Sequence, residues 1–578
     1  MRLEAVLALI TASTACAQFS GLSATADGSS VYFSSPLRLR GTTESFNNKI
    51  FQLNAGGPSL SHARDTGQTG LCMTTEFYNL VAPDVSDDGS ILAFTGTRPC
   101  IGGSSVALQT AQGSIVDRTG KEILQAFGYV NISPSGKWAV FSSRNLFDAP
   151  GLSKAELVAL SSGTQVQVPY SFYGPTRRRI ADDGTIAFFD SGAVVLWRTD
   201  GQQTITDPAI PAQTPYPEPA LMVSKDATRV VFQDTYGLVL FDLAHSVGQM
   251  LAIGTLASVT ASDDARTIAW IDQDSQIGYA AEQVAQIPII SEGVGELALS
   301  GNGQVLFAAT KSGRILSIQL PSGTTTELIP RTPWITTPPS GYRSYPLGSI
   351  SAGVGAGSLA MISGTGLSDL TASAAPPTTG GLGDVRILIG GVEAPVEAIS
   401  PGLIWFQIPW ELAPQDYSFD FLSGSSPFET GPNTLTVQSV APQFFVNPDG
   451  SVKAVHGDWS GLVTWPNLAR EGELIYVYMT GLGPVNPPVP TGAAAPDAPF
   501  SAITGSLTCQ FFGQTIADAH NASVVSAGLA PQMVGIYQIS VQVPKGLIGP
   551  VPIDNFEIGC GFGPSLTALG SIGVIPSN

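Results

Sequence analysis

Short alternating apolar runs, each preceded by a polar turn, recur along the first 330 residues of the chain. One copy reads NISPSGKWAVFSS (131–143), in which a Ser-Pro-Ser-Gly turn leads into Trp138, Val140 and Phe141. Because successive side chains of a strand point to opposite faces, this alternation predicts a half-buried β-strand after each turn. The glycine of the turn tolerates the positive φ that a tight hairpin requires.

The phrase occurs seven times, and the spacing of the copies suggests an architecture. The residue that marks each turn is, in order, Gly28, Gly89, Gly136, Gly184, Ala227, Ala265 and Gly303. Most intervals are near the roughly 40–50 residues of a propeller blade. A single small sheet cannot bury both of its faces, so the copies are expected to stack as a seven-bladed β-propeller over residues 18–330. Alanine in place of glycine predicts slightly different turns in the fifth and sixth copies.

The repeat also carries a family resemblance. Residues 85–94 and 132–141 are similar to the S-P-D-G-x-x-[ILV]-[AV]-F signature of periplasmic TolB-type and related WD40-like propellers. The resemblance implies the fold over roughly residues 20–330. It implies little about function, because such propellers host many unrelated activities.

The C-terminal region has a different pattern. A Pro-rich stretch at 331–346 predicts a linker, and two related halves follow it. Each half runs through a Gly-rich turn and an apolar strand into Gln-Ile-Pro or Gln-Val-Pro. Strand-length alternations separated by Gly and Pro predict two Ig-like β-sandwiches, at 347–440 and 441–578. The whole chain is therefore expected to be all-β.

This half resembles the C-terminal domain of a large paralogous family of exported acidobacterial proteins. The matching motifs include SPGLIWFQIPWE, NPDGS, GLAPQMVGIYQISVQVP and the closing IGVIP, which occur in order over roughly residues 345–578. The resemblance implies a surface or secreted β-module attached to varied N-terminal domains. No established chemistry comes with it.

Composition and charge narrow the function classes. Charged residues make up 12% of the 578 residues, and the formal net charge is −19 with no Lys/Arg stripe. Nucleic acid is therefore not an expected partner, since phosphate binding needs clustered cations. The negative surface also disfavours docking on anionic lipid.

The N-terminus predicts export. Residues 1–17 combine Arg2, an apolar run and the small-residue pattern Ala15-Cys16-Ala17 of a signal peptide. Cys16 leaves a lipoprotein alternative open. No other stretch is long and apolar enough to span a membrane. We expect a secreted, periplasmic or cell-surface protein that is monomeric and does not insert into the membrane after cleavage.

Cysteine use agrees with export. Without Cys16 the chain has four cysteines: Cys72, Cys100, Cys509 and Cys560. Four cysteines allow three pairings, and the separations favour Cys72–Cys100 and Cys509–Cys560. Cys72 lies in a long insertion at 59–80, which is either a functional or a decorative loop.

Motifs for catalysis are missing from the sequence. It has no G-x-S-x-G elbow and no histidines at metal-ligand spacing, and its Gly-rich stretches do not open helices. Asp272 and Asp274 occupy the start of a calcium-loop pattern that lacks its terminal Glu, which favours a turn. Paired aspartates at the repeat turns also indicate turn chemistry, since a catalytic pair would occur once. We expect no enzyme activity, no cofactor and no metal.

Two candidate binding sites interrupt the pattern. Arg177, Arg178 and Arg179 enter the fourth copy near the strand expected to line the axis, where guanidinium groups bind carboxylates or other anions. The alternative is pairing with Asp182 and Asp183 on the rim.

The second candidate is Trp459 with Trp465, which lie in a loop broken by Gly and Pro. Exposed indoles there would stack on a sugar or a protein partner. The alternative is burial between the two sandwiches.

Together these features predict a non-enzymatic binding, adhesion or scaffold protein of the cell envelope. Its propeller face and insertion would bind an extracellular protein or glycan, with the sandwiches as a spacer or attachment module. One alternative is a propeller-based polysaccharide lyase or glycan hydrolase whose acid and base lie on separate loops. Another is a TolB-like periplasmic component of an envelope machine.

Overall fold

The fold was analysed on a computed structural model. It describes residues 19–39, 48–55, 60–64, 78–98, 110–142, 155–170, 172, 178–206, 209–210, 219–281, 284–287, 293–340, 353–424, 428–429, 434–447, 450–512, 519–547, 556–563 and 566–576. Across these ranges all regular structure is β-strand. The chain divides into two compact units. The propeller unit comprises residues 16–332 with 425–429, and the C-terminal unit comprises 333–424 with 430–578.

In the described part of the propeller unit, seven antiparallel meander sheets follow one another along the chain, one for each copy of the repeat. We name them blades 1 to 7, with strands given from the innermost outward. Blade 1 is Ser20–Ala24, Ser30–Ser35, Lys49–Asn54 and Leu60–Arg64; blade 2 is Tyr78–Val85, Ile91–Arg98, Thr110–Asp117 and Glu122–Phe127; blade 3 is Tyr129–Ile132, Trp138–Ser142, Ala155–Ala159 and Gln165–Val168; blade 4 is Ile186–Asp190, Ala193–Arg198 and Gly201–Thr206; blade 5 is Leu221–Val223, Arg229–Gln233, Gly237–Asp242 and Val247–Ile253; blade 6 is Ser258–Ala261, Ile268–Ile271, Ile277–Ala280 and Val284–Gln286; blade 7 is Val294–Leu299, Val305–Thr310, Ile315–Gln319 and Thr324–Ile329.

Two local features complete this unit. In blade 4 a single bridge, Ile180 to Ile186, stands in place of a regular innermost strand. Arg38–Leu39 also pairs with Phe428–Glu429.

Apolar clusters lie between consecutive blades, as strand alternation requires. In blade 3, Ala139 and Phe141 pack into the cluster shared with blade 2, whereas Val140 and Leu157 pack into the cluster shared with blade 4. Each blade thus buries both faces against its neighbours, because odd and even positions of one strand point in opposite directions.

A chain of hydrogen bonds at the repeat turns closes the blades into a ring. In five blades, the second residue of the repeat turn donates its N–H to the carbonyl of the second turn residue in the next blade. Pro134 has no N–H to donate, and in blade 7 Asn302 donates in place of Gly301. The bonds are Ala26 to Asp87 (2.9 Å), Asp87 to Pro134 (2.7 Å), Asp182 to Lys225 (3.0 Å), Lys225 to Asp263 (2.6 Å), Asp263 to Gly301 (2.8 Å) and Asn302 to Ala26 (2.8 Å). At the gap, Ser135 N–H donates to the Asp182 carboxylate at 2.9 Å. Blade 7 therefore meets blade 1, as a propeller requires.

The turns of the fifth and sixth copies do not differ from the others. Ala227 (φ 55°) and Ala265 (φ 50°) adopt the left-handed conformation that glycine adopts in the other copies, for example at Gly303 (φ 73°). Each alanine also donates its N–H to the first residue of its turn, as Gly303 does. The expectation of altered turns was wrong. The neighbouring strands impose the same turn, and the alanine adopts a positive φ that is unfavourable for a residue with a Cβ atom.

The first half of the C-terminal unit is a two-sheet sandwich. In sheet order, one sheet is Trp334–Ser340, Leu359–Thr365, Leu403–Gln407, Val396–Ile399 and Ala372–Ser373, and the other is Val354–Gly355, Thr434–Gln438, Gln415–Ser423, Val385–Ile389 and Val392–Ala394. Ile362, Ile387 and Phe406 are among the apolar side chains buried between the sheets.

Part of the predicted linker belongs to this sandwich. Residues 334–340 lie inside the stretch 331–346, yet they form an edge strand that pairs with Leu359–Thr365. Irregular register at Pro338 and Pro339 accounts for the missed pattern, because an edge strand tolerates prolines that a central strand does not. The predicted linker therefore has regular structure in its middle part.

The second half is built on one continuous sheet rather than two separate ones. Its strands are Gln443–Phe444, Ala454–His456, Leu474–Thr480, Val485–Asn486, Ala502–Ile503, Leu507–Phe512, His520–Leu529, Tyr537–Gln542, Phe556–Phe562 and Ala568–Ile572, with Ala469–Arg470 pairing separately with Val574–Ile575. A register shift between Val524 and Ser526 divides the long strand His520–Leu529. One end of that strand pairs with Leu507–Phe512 and the other with Tyr537–Gln542, so the sheet continues around its core.

The predicted disulfide between Cys509 and Cys560 is present. The two residues face each other on adjacent antiparallel strands, with Cα atoms 4.2 Å apart and a sequence separation of 51. Both side chains lie in the apolar core of the second half. The proposed partners Cys72 and Cys100 lie outside the described residues.

The two halves of the C-terminal unit share a core. Leu359, Met361 and Trp405 of the first half pack with Phe445 and Tyr478 of the second. Backbone bonds cross the same boundary, for example Leu359 N–H to the Gly535 carbonyl at 2.9 Å. The halves thus form a single compact unit rather than two independent modules.

Candidate functional site

The arginine triplet does not present guanidinium groups to solvent at the positions that the structure describes. Arg178 forms an ion pair with Asp263, and both side chains are largely buried. Arg179 is fully buried, with its guanidinium 5.0 Å from the centre of the Phe172 ring and Nη1 donating to the Ala187 carbonyl at 3.2 Å. Arg177 lies outside the described residues.

In the described contacts, Asp182 and Asp183, the partners foreseen from the sequence, pair with cations outside the triplet. Asp183 pairs with the exposed Arg198 at 3.4 Å, and Asp182 lies 3.8 Å from Lys225. The observed pairs differ from the expected local ones because the turns of several blades converge on the axis. This convergence brings together residues that are distant in sequence.

A charge cluster lies at that convergence, and we call Asp87, Arg178, Asp182, Lys225 and Asp263 the axial cluster. Lys225 Nζ lies 2.5 Å from Asp87 Oδ2, although these residues belong to blades 5 and 2. Because those blades are not neighbours in the ring, the contact spans the axial opening. The axial cluster therefore closes the propeller axis at the level of the repeat turns.

Burial sets the electrostatics of this cluster. Desolvation raises the pKa of Asp87 above its ordinary value, and the negative charge of Asp263 adds to the rise against the opposing effect of Lys225. Desolvation lowers the pKa of Lys225, but the Asp87, Asp263 and Asp182 carboxylates outweigh it and raise that pKa overall. One ammonium serves several carboxylates, so the site holds its own counterions rather than an open binding position.

Each aspartate of the repeated pairs has a different role. In the second copy, hydrogen bonds from the side chain and N–H of Ser90 (N–H at 2.9 Å), and then from the Ser86 hydroxyl (2.8 Å), lower the pKa of Asp88 to about 2. Its neighbour Asp87 belongs to the axial cluster. Turn chemistry, as predicted, accounts for the second aspartate of a pair, whereas the first is an axial residue that sequence reasoning missed.

The two tryptophans lie on the surface of the C-terminal unit. Trp459 is 57% exposed and Trp465 is 73% exposed, whereas Trp405 is buried in the same unit. We call residues 456–467 together with Tyr476 the tryptophan surface. These two side chains are therefore not buried between the two halves of the unit.

Backbone pairing fixes the two turns that carry the indoles. His456 N–H donates to the Gly461 carbonyl and Trp459 N–H to the His456 carbonyl, which places Trp459 (φ 61°) at the tip of the first turn. Isolated bridges of Val455 with Leu462 and of Thr464 with Asn467 then hold the returning segment and a second turn. Trp465 lies in this second turn.

The ring of Trp459 stacks on a neighbouring aromatic side chain. Its centroid is 4.8 Å from that of Tyr476, with 26° between the ring planes. Tyr476 lies on the strand Leu474–Thr480 opposite Val455. One face of the indole is thus covered by a rigid partner, and most of the remaining ring is open to solvent.

A largely buried hydrogen bond between side chains anchors the base of the first turn. His456 Nδ1 lies 2.5 Å from Glu473 Oε1, and Arg470 N–H donates to Glu473 Oε2 at 2.8 Å. His456 Nε2 lies 3.4 Å from the Asn467 carbonyl in the second turn. A single imidazole therefore contacts the residues that hold both turns.

A second buried polar site lies elsewhere in this unit. Glu397 is 1% exposed and accepts a hydrogen bond from the Thr378 hydroxyl at 2.5 Å. Desolvation raises the pKa of Glu397 to about 7, although the bond from Thr378 opposes the rise. Thr378 also donates its N–H to the Gly492 carbonyl at 2.9 Å, which connects this carboxyl to the second half.

Among the residues that the structure describes, no group of three or more His, Cys, Asp or Glu side chains is arranged to hold a metal ion. In the same part of the chain, no helix is long and apolar enough to cross a membrane.

Comparison with known proteins gives structural neighbours only. The chain matches no family model and no curated protein. It is similar to a chain in the crystal structure of the mitotic checkpoint complex, with 13% identity and a TM-score of 0.37 over 54% of this chain and 90% of that one. It is also similar to Kluyvelomyces marxianus Hsv2, with 11% identity and a TM-score of 0.33 over 53% of this chain and 93% of that one. The strand pairing of this chain and the hydrogen bonds that close its ring define the β-propeller.

Proposed function

We propose that this is an exported, monomeric and non-enzymatic binding or adhesion protein of the cell envelope that takes an extracellular protein or glycan. The observation that carries the proposal is the exposure of Trp459 and Trp465 on two fixed turns. Exposed aromatic rings that are already ordered lose little conformational entropy on binding, and such residues dominate binding energies at interfaces.

The propeller is assigned a supporting role in this proposal. Its axis is crossed by the axial cluster, in which Arg178 and Lys225 pair with the carboxylates of Asp263 and Asp87. A sealed axis favours a scaffold over a site for a small ligand at that level of the ring. The binding surface is therefore assigned to the C-terminal unit instead of the propeller face.

Features of the sequence support export. Residues 1–17 have the signal-peptide pattern, and the Cys509–Cys560 disulfide fits an oxidising compartment. The resemblance of residues 345–578 to exported acidobacterial proteins points to the same location, either at the cell surface or beyond it.

The test is a binding screen of the secreted protein against extracellular proteins and polysaccharides. We expect retention by at least one partner and its loss in the double variant Trp459→Ala/Trp465→Ala. Val525→Ala is the matched control, since Val525 is an exposed apolar residue (61%) of the same unit. Release of reducing ends from a polysaccharide would contradict the proposal and favour a glycan hydrolase, and release of unsaturated products would favour a lyase.

A further inference from the structure

The chemistry around the two indoles selects among the partners that the proposed function leaves open. Residues 456–467 contain no Lys or Arg, and Asp458 is their one carboxylate. Asp458 is exposed and accepts Ser460 N–H at 2.9 Å, and bonds from Ser460 lower its pKa. The surface therefore carries negative charge at neutral pH.

This charge disfavours two classes of ligand. A polyanion would meet the carboxylate of Asp458 on a segment without Lys or Arg, within a chain of net charge −19. An anionic membrane would be repelled in the same way, although exposed indoles otherwise suit a lipid interface. A neutral ligand meets neither penalty.

The aromatic geometry favours a ligand with a flat apolar face. Trp459 is held parallel to Tyr476 and presents an indole face whose π-electrons attract the weakly positive C–H groups of a sugar ring. Polar groups border the indoles, since the carboxylate of Asp458 and the hydroxyl of Ser460 are exposed beside Trp459 and the amide of Asn467 is exposed near Trp465. Aromatic faces bordered by hydrogen-bonding groups match a saccharide, which has C–H faces and hydroxyl edges.

The two indoles lie on two turns that the short segment 460–464 connects. Six residue steps separate Trp459 from Trp465, so at about 3.3 Å per residue their Cα atoms are at most ~20 Å apart. A chain of several sugar rings can extend over a distance up to this limit and so can contact both indoles. Simultaneous contact with both indoles would raise the effective concentration of the second contact.

We propose that the tryptophan surface binds a neutral polysaccharide chain, with Trp459 and Trp465 stacking on separate sugar rings of the same chain. This inference rests on the proposed binding function and names its ligand class. His456 and Glu473 act as positioning residues, since they hold the turns beneath the indoles.

The experiment measures binding of the full secreted chain to a panel of neutral polysaccharides (cellulose, chitin, mannan and starch). Alginate serves as a polyanionic probe, and phosphatidylcholine vesicles with and without phosphatidylglycerol serve as membrane probes. We expect retention on at least one neutral polysaccharide and on none of the other probes. Soluble oligosaccharides of the retained polymer should bind more tightly with increasing length and shift the tryptophan fluorescence.

The variants separate the two indoles from the rest of the fold. Trp459→Ala and Trp465→Ala are each expected to weaken binding about tenfold, in line with the worth of one aromatic contact. Trp465→Ala should also remove the dependence on oligosaccharide length. Val525→Ala should leave affinity unchanged, and near-ultraviolet circular dichroism checks that each variant is folded.

The possible results of this experiment separate failure of the neutral-glycan inference from failure of the site and of the proposed function. Trp-dependent binding to alginate, vesicles or a protein alone would overturn the neutral-glycan inference and leave the proposed binding function standing. Equal affinities of the wild type and both Trp variants for a neutral polysaccharide would overturn the site. Cleavage of the polysaccharide would overturn the proposed function itself.

Discussion

The two units of this protein use polar and aromatic side chains in opposite ways. In the propeller unit, charged residues of four turns converge on the axis, where Lys225 and Arg178 pair with the carboxylates of Asp87 and Asp263. In the C-terminal unit, a largely buried hydrogen bond between His456 and Glu473 lies beneath a turn whose indole is exposed. Charged side chains cross the axis of the propeller unit, whereas in the C-terminal unit a polar contact supports an exposed aromatic surface.

The two units differ in this way because the propeller unit is built from sequence repeats. Seven similar phrases give seven blades whose turns are alike, so residues at the turns mainly serve ring closure. The segment around Trp459 is not a copy of the repeat, so its side chains do not take part in the hydrogen bonds that close the ring. Four changes, ordered from the largest expected effect, test how far the two units differ.

The disulfide gives the largest expected effect, and it is confined to the C-terminal unit. The double variant Cys509→Ser/Cys560→Ser is expected to lower the free energy of unfolding of that unit by about 4 kcal/mol, since the bridge closes a loop of 51 residues. Denaturant unfolding followed by hydrogen exchange and mass spectrometry assigns the loss to its unit. Loss of protection from hydrogen exchange in the propeller blades would contradict the expectation that the effect is confined to the C-terminal unit.

Glu397 should give the C-terminal unit a pH-dependent stability. Its folded-state pKa of about 7 lies above the ordinary value of 4.5, so folding favours the protonated form. The stability from this group is fully present below pH 4.5 and is lost as the pH rises through 7, by about 3 kcal/mol. Glu397→Gln should therefore flatten the pH dependence and stabilise the protein at pH values above 7.

Denaturant midpoints on both sides of this range measure the effect. The matched control is Glu411→Gln, an exposed carboxyl in the same unit, which should leave the pH dependence as it is in the wild type. A Glu397→Gln variant that is destabilised equally at low and high pH would show that the carboxyl does not titrate as described.

The axial cluster predicts a smaller loss in the propeller unit. Lys225→Met leaves Asp87 and Asp182 without their ammonium, and a cost of about 1–2 kcal/mol is expected because solvent still screens part of the site. The loss should shrink at acidic pH as the carboxylates become protonated.

Arg198→Met is the control for this change. It removes an ion pair with Asp183 whose side chains are both exposed, and a loss of at most about 0.5 kcal/mol is expected. Thermal unfolding at several pH values compares the two variants. Equal losses would mean that the axial position adds nothing to an ordinary surface pair.

The smallest effect is a gain of stability at a repeat turn. Ala227→Gly relieves a left-handed alanine and should stabilise the propeller unit by about 0.5–1 kcal/mol. Ala265→Gly should gain less, because the Ala265 methyl group is buried in the cluster between blades 5 and 6. Chemical denaturation of both variants gives the comparison, and a loss in each would show that the turns are unstrained.

Local patterns were sufficient to predict the repeated part of the fold. Alternation at Trp138, Val140 and Phe141 identified a strand, and the spacing of the copies indicated seven sheets. The same reasoning failed at 334–340, where prolines on an edge strand conceal a sheet contact. It also predicted two separate sandwiches, whereas the halves share a core that involves Leu359 and Tyr478.

The candidate site was only partly visible in the sequence. Trp459 and Trp465 stood out because they interrupt the pattern, but their exposure depends on how residues 456–467 fold back. Tyr476, His456 and Glu473 carried no signal, since each lies in an ordinary strand or turn context. Arg178 was identified as an axial residue, but its partner Asp263 comes from a blade two positions further along the chain.

The sequence by itself determined the all-β class, the number of repeats and the pairing of Cys509 with Cys560, because these follow from short-range periodicity and from cysteine spacing. Tertiary structure alone decided which charges meet at the axis, why alanine adopts a glycine conformation at two turns, and which tryptophans face solvent. The physical reason is distance along the chain. Lys225 and Asp87 are 138 residues apart, and only closure of the ring places their charges in contact.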